Sequence, residues 1–302
     1  MDTRTAAHIA TDEVSELQTQ SAYRLSPLDY VQTSQGPLGA DIHRLFTPRV
    51  DVRETSFAAD VILTTIGSFD RFGVGALVAG GTSMNGALLE NNNIGVVTST
   101  TPGTIIRFRA QARWCNTTID SAFFSSVAST HGYALPTADC SPQIPNEVQA
   151  RLALWMSRVA HTRVATQISN AQFEDAIALS LLRVLNLSRN FQNPRPNRRQ
   201  EIVNRCVDYM RVHYSTDLTV TEVCRVVNAS ERTVRYAFVE VLSMTPKQYL
   251  ENYRLHKAMQ IIRSGAANSI AEAATACGFR HLGRFAQSFK QVFGELPSQI
   301  HR

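Results

Sequence analysis

The sequence predicts an α+β chain of two domains: a β-rich amino-terminal domain and an all-α carboxy-terminal domain holding two helix-turn-helix units. Three observations predict it. First, the 302 residues suffice for two domains at ~100–200 residues each, and 44% are hydrophobic against 18% charged, which suits packed cores rather than disorder. Second, Val, Ile, Thr, Phe and Gly crowd residues 36–145 in short apolar runs, whereas the chain beyond residue 200 is patterned as helix nearly to its end. Third, the last third contains an internal repeat.

The elements follow in chain order. Residues 1–35 are polar with little periodicity, which predicts at best partial order. The domain over 36–190 opens with strand-like runs at 60–67, 72–80, 86–89, 94–98 and 104–114, punctuated by Gly80-Gly81 and by Asn91 to Asn93. Short strands at such spacing predict a sandwich or a barrel. Helical patterns follow at 146–160 (Val148, Leu152, Trp155, Met156, Val159) and 171–187 (Phe173, Ile177, Leu181, Leu185). The second is either a dimer surface or packed within its own domain. Residues 191–199, with Pro194, Pro196 and three arginines, read as an extended linker. Arg195, Arg198 and Arg199 are solvated there or touch phosphates.

Residues 200–302 hold the repeat, as two helix-turn-helix units over 218–242 and 268–293. At an offset of 50, Val220-Thr-Glu-Val-Cys-Arg-Val-Val-Asn aligns with Ile270-Ala-Glu-Ala-Ala-Thr-Ala-Cys-Gly; beyond the turn the offset is 51, pairing Phe238 with Phe289 and Pro246 with Pro297. Asn228 and Gly278 sit where a turn wants positive φ, and Ser230 is placed to cap the next helix. The second helix of each unit is expected to bury one face: Val234, Phe238, Val241 and Leu242, then Leu282, Phe285, Phe289 and Phe293. Between the units, Thr245-Pro246 starts a helix and Gly265 stops one. About 19 residues at ~1.5 Å each span ~28 Å, near the ~34 Å that separates successive turns of DNA.

Charge points the same way. Residues 195–302 carry sixteen Lys and Arg against nine Asp and Glu, so the whole positive excess of the +5 chain lies there. A basic module on a near-neutral one calls for a polyanion. Five scattered cysteines without C-x-x-C indicate neither a disulfide scaffold nor zinc, and suit a reducing cytoplasm. Cys206, Cys224 and Cys277 read as small core residues. The longest nearly uncharged apolar stretch, Phe72 to Gly80, falls far short of the ~20 residues of a membrane span. The first twenty residues, with Asp12, Glu13 and Glu16, have no secretory pattern. His8, His43, His131 and His161 form no H-x-H or H-x-x-x-H, and G-x-S-x-G is absent. No catalytic residue, metal site or cofactor is predicted. Two rival readings are an architectural DNA binder without a ligand and a cupin-type metalloenzyme.

The carboxy-terminal motifs resemble the tandem helix-turn-helix domain of the AraC/XylS family of bacterial transcription regulators. The resemblance rests on Leu218-Thr-Val-Thr-Glu-Val-Cys, Ser230-Glu-Arg-Thr-Val-Arg-Tyr-Ala-Phe, Thr245-Pro-Lys-Gln-Tyr-Leu, Cys277-Gly-Phe, Gly283-Arg-Phe-Ala-Gln-Ser-Phe-Lys-Gln-Val-Phe-Gly and Pro297-Ser. His281-Leu-Gly-Arg-Phe-Ala is similar to the ethanolamine-operon regulators of that family. The resemblance implies that Arg232, Arg235, Tyr236, Gly283 and Gln287 face DNA bases and that Arg280, His281, Arg284 and Lys290 meet phosphates. Gly283 departs from the polar side chain many members carry. The resemblance further implies a cupin-like β-barrel sensor with dimerisation helices, a homodimer on promoter DNA, an unknown small-molecule effector, contact with RNA polymerase, and a cytoplasmic protein that joins the nucleoid when bound. Ile106 and Phe108 alternate with Arg107 and Arg109. If the arginine side faces into the barrel it clamps an anionic effector; otherwise it faces solvent.

Overall fold

The computed structural model describes residues 4–11, 28–65, 70–98, 103–163, 168–188 and 198–300. The amino-terminal domain is two antiparallel sheets packed face to face. One has the order β1 (Thr5–Thr11), β3 (Ala40–Phe46), β4 (Val50–Ser56), β11 (Arg113–Asp120), β6 (Arg71–Ala79), β9 (Gly95–Val97). The other has the order β2 (Leu28–Gln32), β5 (Val61–Thr65), β10 (Ile105–Phe108), β7 (Thr82–Met84), β8 (Ala87–Leu89). The apolar core between them includes Tyr30, Phe57, Leu63, Phe108 and Trp114.

Three helices cover the outer face of the six-stranded sheet: α1 (Ser121–Thr130), α2 (Asn146–Ala160) and α3 (Asn170–Leu187). Asp120 caps α1 and Ser169 closes a capping box on α3. The stripe Phe173, Ile177, Leu181, Leu185 of α3 is buried within this domain's core. Buried Glu174 ties α3 to the sheet by accepting from Thr47 Oγ1 at 2.5 Å and Arg49 Nε at 2.6 Å.

Three expectations are corrected here. Among the described residues the sheets do not close into a barrel. The outer edge of β9 is occupied instead by a bridge from Val96 to Cys140, with N–H···O distances of 2.8 and 3.0 Å, so no further strand can pair there. The run 104–114 is two strands, because Gln111 at φ 63° turns the chain between β10 and β11. The first 35 residues supply β1 and β2. The linker, 191–199, lies largely outside the described residues.

The carboxy-terminal domain is all helical: α4 (Arg198–His213), α5 (Val220–Val226), α6 (Glu231–Leu242), α7 (Pro246–Ser264), α8 (Ile270–Ala276), α9 (Leu282–Phe293) and α10 (Pro297–Ile300). Arg198 and Arg199 thus open a helix. Each helix-turn-helix has its own core, around Phe238 in the first and Phe285 and Phe289 in the second. All five cysteines are buried and free. None of the described helices is long and apolar enough to cross a membrane.

Candidate nucleic-acid interface and the seam behind it

In the first unit, Asn228 takes φ 50° and the Ser230 side chain accepts from the Thr233 amide, so α6 starts sharply after the turn. Its apolar residues Val234, Ala237, Phe238, Val241 and Leu242 are buried. That leaves Arg232, Arg235 and Tyr236 exposed on the other side, with the Arg232 guanidinium 5.4 Å from the Tyr236 ring centre. In the second unit, burial of Phe285 and Phe289 turns Gly283, Arg284, Gln287 and Lys290 outward, while Leu282, expected on the buried face, is exposed in the first turn. The turn there holds Gly278 at φ 80°, and a Cβ on it would stand 2.9 Å from the Tyr214 carbonyl oxygen and 3.1 Å from the Arg254 guanidinium carbon. Close approach, beyond positive φ, therefore distinguishes Gly278 from Asn228.

The two units are held in register by α7 and by Arg254, which donates to the Tyr214 and Thr216 carbonyls at 2.7 Å each. A Thr245–Gln248 capping box starts α7 and Gly265 at φ 65° ends it. His281 is exposed at the start of α9, and Arg280 forms an exposed ion pair with Asp217 at 2.6 Å.

Behind this face, α4 and α7 pack on the five-stranded sheet. Strand alternation sends successive side chains to opposite faces. Val31, Ile62 and Ile105 join the core of the first helix-turn-helix unit. Arg211 donates to Asp29 at 2.9 Å, and both are nearly buried, at 10% and 5% exposure. The Gln32 amide donates to His256 Nε2 at 2.8 Å, and its side chain reaches the Val292 carbonyl at 3.1 Å. Burial pushes the His256 imidazole down to about 4, so it is neutral near pH 7.

The opposite face of the same strands lines a cavity of about 90 Å³. Tyr30, Leu63, Thr65, Ile106 and Phe108 come from that sheet; Arg53, Thr55, Trp114 and Asn116 come from the other. Arg53 and Arg44 both donate to Asp51, at 2.6 and 2.8 Å. Burial pushes the Asp51 carboxyl up, but the two guanidiniums outweigh it and hold it below its ordinary value. Gly75 makes room for the Trp114 indole, since a Cβ there would fall 2.0 Å from Trp114 Cζ2. Gly75→Ala is expected to cost ~1–3 kcal/mol through overpacking, read as a lower urea midpoint at unchanged m-value.

A helix-turn-helix domain family model matches residues 223–302. The chain is 39% identical over 100 residues to the "Probable thc operon regulatory protein" of Rhodococcus erythropolis, a match covering 32% of this chain and 30% of that protein. It is 30% identical over 156 residues to the XylDLEGF operon transcriptional activator of Pseudomonas putida, covering 50% and 47%. The matches thus span less than half of these curated relatives. A solved structure titled as a probable AraC family transcriptional regulator from Rhodopseudomonas palustris is 27% identical over 33% of this chain and 94% of that one, with a TM-score of 0.32. Residues 223–302 form an AraC-type helix-turn-helix domain.

The AraC-type domain exposes the side chains of Arg232, Arg235, Tyr236, Gln287, His281, Arg284 and Lys290. Gly283 is open, with nothing within 4 Å of a Cβ placed on it. The structure does not bring Arg107 and Arg109 into the cavity. Arg107 points to the AraC-type domain, where it donates to Ser243 Oγ at 2.6 Å and Asp60 at 3.3 Å, and Arg109 is exposed in the turn after β10. Ile106 and Phe108 take the cavity side instead. The residues that sequence reading missed are Asp29, Gln32, Arg53, Arg211 and His256. The alternation of Asp29, Tyr30 and Val31 was the available signal for Asp29, whereas Gln32 has Tyr30's parity and reaches Val292 only because it ends the strand.

Proposed function

We propose that the protein is a sequence-specific transcription activator of a metabolic or catabolic operon, switched by a small molecule. The observation that carries this reading is a single β-sheet with a cavity on one face and the AraC-type domain on the other. An occupant touching Tyr30, Ile106 or Phe108 is one strand's thickness from Asp29, Val31, Ile105 and Arg107, which hold the DNA-binding helices. The lining favours a small, largely apolar effector with one polar end near Arg53 and Asn116. Such a cavity favours a ligand-responsive regulator over an architectural protein. The relatives' names as operon regulators support activation at a promoter. In this reading the chain acts in the cytoplasm as a homodimer and contacts RNA polymerase.

Arg232, Arg235, Tyr236, Gly283 and Gln287 are assigned to base edges, and Arg280, His281, Arg284 and Lys290 to phosphates. Arginine pairs bidentately with guanine and glutamine with adenine in the major groove. The test begins with an operator selected from random duplex DNA by the full chain. Arg235→Ala is expected to weaken operator binding by ~1–3 kcal/mol and relax preference at one or two base pairs. Equal loss on random DNA refutes base reading by Arg235. Affinity should also fall linearly on a log–log salt plot, because neutralised phosphates release counterions.

A further inference from the structure

Away from the cavity and the DNA face, three histidines distant in sequence meet on the helix-covered face of the six-stranded sheet. Register places His8 of β1 opposite His43 of β3, and His43 opposite Glu54 of β4. Their rings stack, His8 on His43 at 4.2 Å and His43 on His161 at 3.8 Å, the last from the carboxy-terminal end of α2. Asp41, two residues before His43 and so on the same face, sets its Oδ1 2.6 Å from His8 Nε2 and 3.5 Å from His43 Nε2. The three candidate ligand atoms all lie within 4.8 Å of one another.

We propose that His8, Asp41 and His43 bind a divalent transition-metal ion, with His161 stacked on His43 outside the ligand set. Two imidazoles and a carboxylate are the donor set that zinc, cobalt, nickel and copper take from proteins, and magnesium or calcium do not. Ligand bonds of ~2.0–2.2 Å about a tetrahedral ion set the donor atoms ~3.3–3.6 Å apart, so loading the site replaces the 2.6 Å His8–Asp41 contact and tilts the His8 and His43 rings, 7° from parallel, until both nitrogens point at the ion. His8 and Asp41 are half-exposed, so an ion can enter without unfolding. His43 is the more buried, and His161 stacks against its ring. His161 Nε2 faces the Glu54 carboxylate at 3.6 Å, and Glu54 is itself held by Arg113. Glu54 thereby holds the His161 ring that backs the ring of His43. The ion would clasp β1 to β3, fastening an edge strand whose only sheet neighbour among the described residues is β3.

The test uses the full chain without a histidine tag, titrated with Co²⁺ and then Zn²⁺. The expected result is one Co²⁺ per chain, visible ligand-field bands that Zn²⁺ abolishes, and affinity lowered at least tenfold in His8→Ala and in Asp41→Asn. As a readout that needs no variant, Zn²⁺ should slow carbethoxylation of His8 and His43 by diethyl pyrocarbonate, followed by mass spectrometry, while leaving exposed His281 unaffected. Absence of saturable binding overturns the proposal. So does binding that survives intact in the folded His8→Ala, Asp41→Asn double variant, because the ion then sits elsewhere.

Discussion

Arg211→Ala is expected to lower the unfolding free energy of the full chain by ~3–5 kcal/mol, because it leaves a buried carboxylate without its guanidinium. Arg211 lies in the last turn of α4 and Asp29 in β2, and their 2.9 Å contact is closed to water. Urea denaturation of the single and paired variants is the measurement. Replacing both partners with apolar residues, Asp29→Leu with Arg211→Met, should restore most of the loss, since the desolvation cost then vanishes with the charges. If the double variant is as unstable as the single one, the pair contributes packing and not charge compensation. The variant also bears on function. Under the function proposed above, a chain with a loosened seam is expected to bind DNA but lose the response to effector, because the shared sheet no longer transmits a change between its faces.

The second large effect is expected with pH. Native His256 protonates only near pH 4, whereas unfolding returns it to its ordinary value near 6.5. Between those values the unfolded chain takes up a proton and the folded chain does not. The histidine therefore favours unfolding increasingly as pH falls from 6.5 to about 4, and its contribution levels off below that. At ~1.4 kcal/mol per tenfold change in proton affinity, the full difference is ~3 kcal/mol. Stability at pH 7 is untouched. The check is urea unfolding from pH 7 to pH 5, comparing the native chain with His256→Gln. The slope should flatten in the variant over that window, where most carboxylates have not yet begun to protonate. Equal slopes would mean that His256 reaches solvent in the folded protein.

Both effects sit in the seam, and the seam was the part least legible in the sequence. The AraC-type domain was legible nearly residue by residue. Its repeat, its positive-φ turns at Asn228 and Gly278, the Ser230 cap and the Thr245 to Gly265 helix are local signals, each decided within about four residues of itself. The outward set Arg232, Arg235, Tyr236 and Gln287 follows from the same helical period, because burying Phe238 and Phe289 leaves only one other face. The helices at 146–160 and 170–187 were equally plain.

Period two in a strand shows that Ile106 and Phe108 share one face and Arg107 takes the other, but not which face meets which neighbour. The sequence left both options of barrel interior or solvent for Arg107; packing chose a third, the surface of another domain. The same holds for Asp29, whose partner Arg211 is 182 residues away, and for His8, His43 and His161, which no spacing rule connects. The helical DNA-binding domain could be read from the chain alone, since helix periodicity, caps and turns are written in neighbouring residues. That the described strands form an open sandwich, that one sheet serves both cavity and DNA-binding helices, and that three remote histidines stack emerges only when the chain is folded. Strand pairing and register are long-range choices, settled by which apolar faces can be buried together.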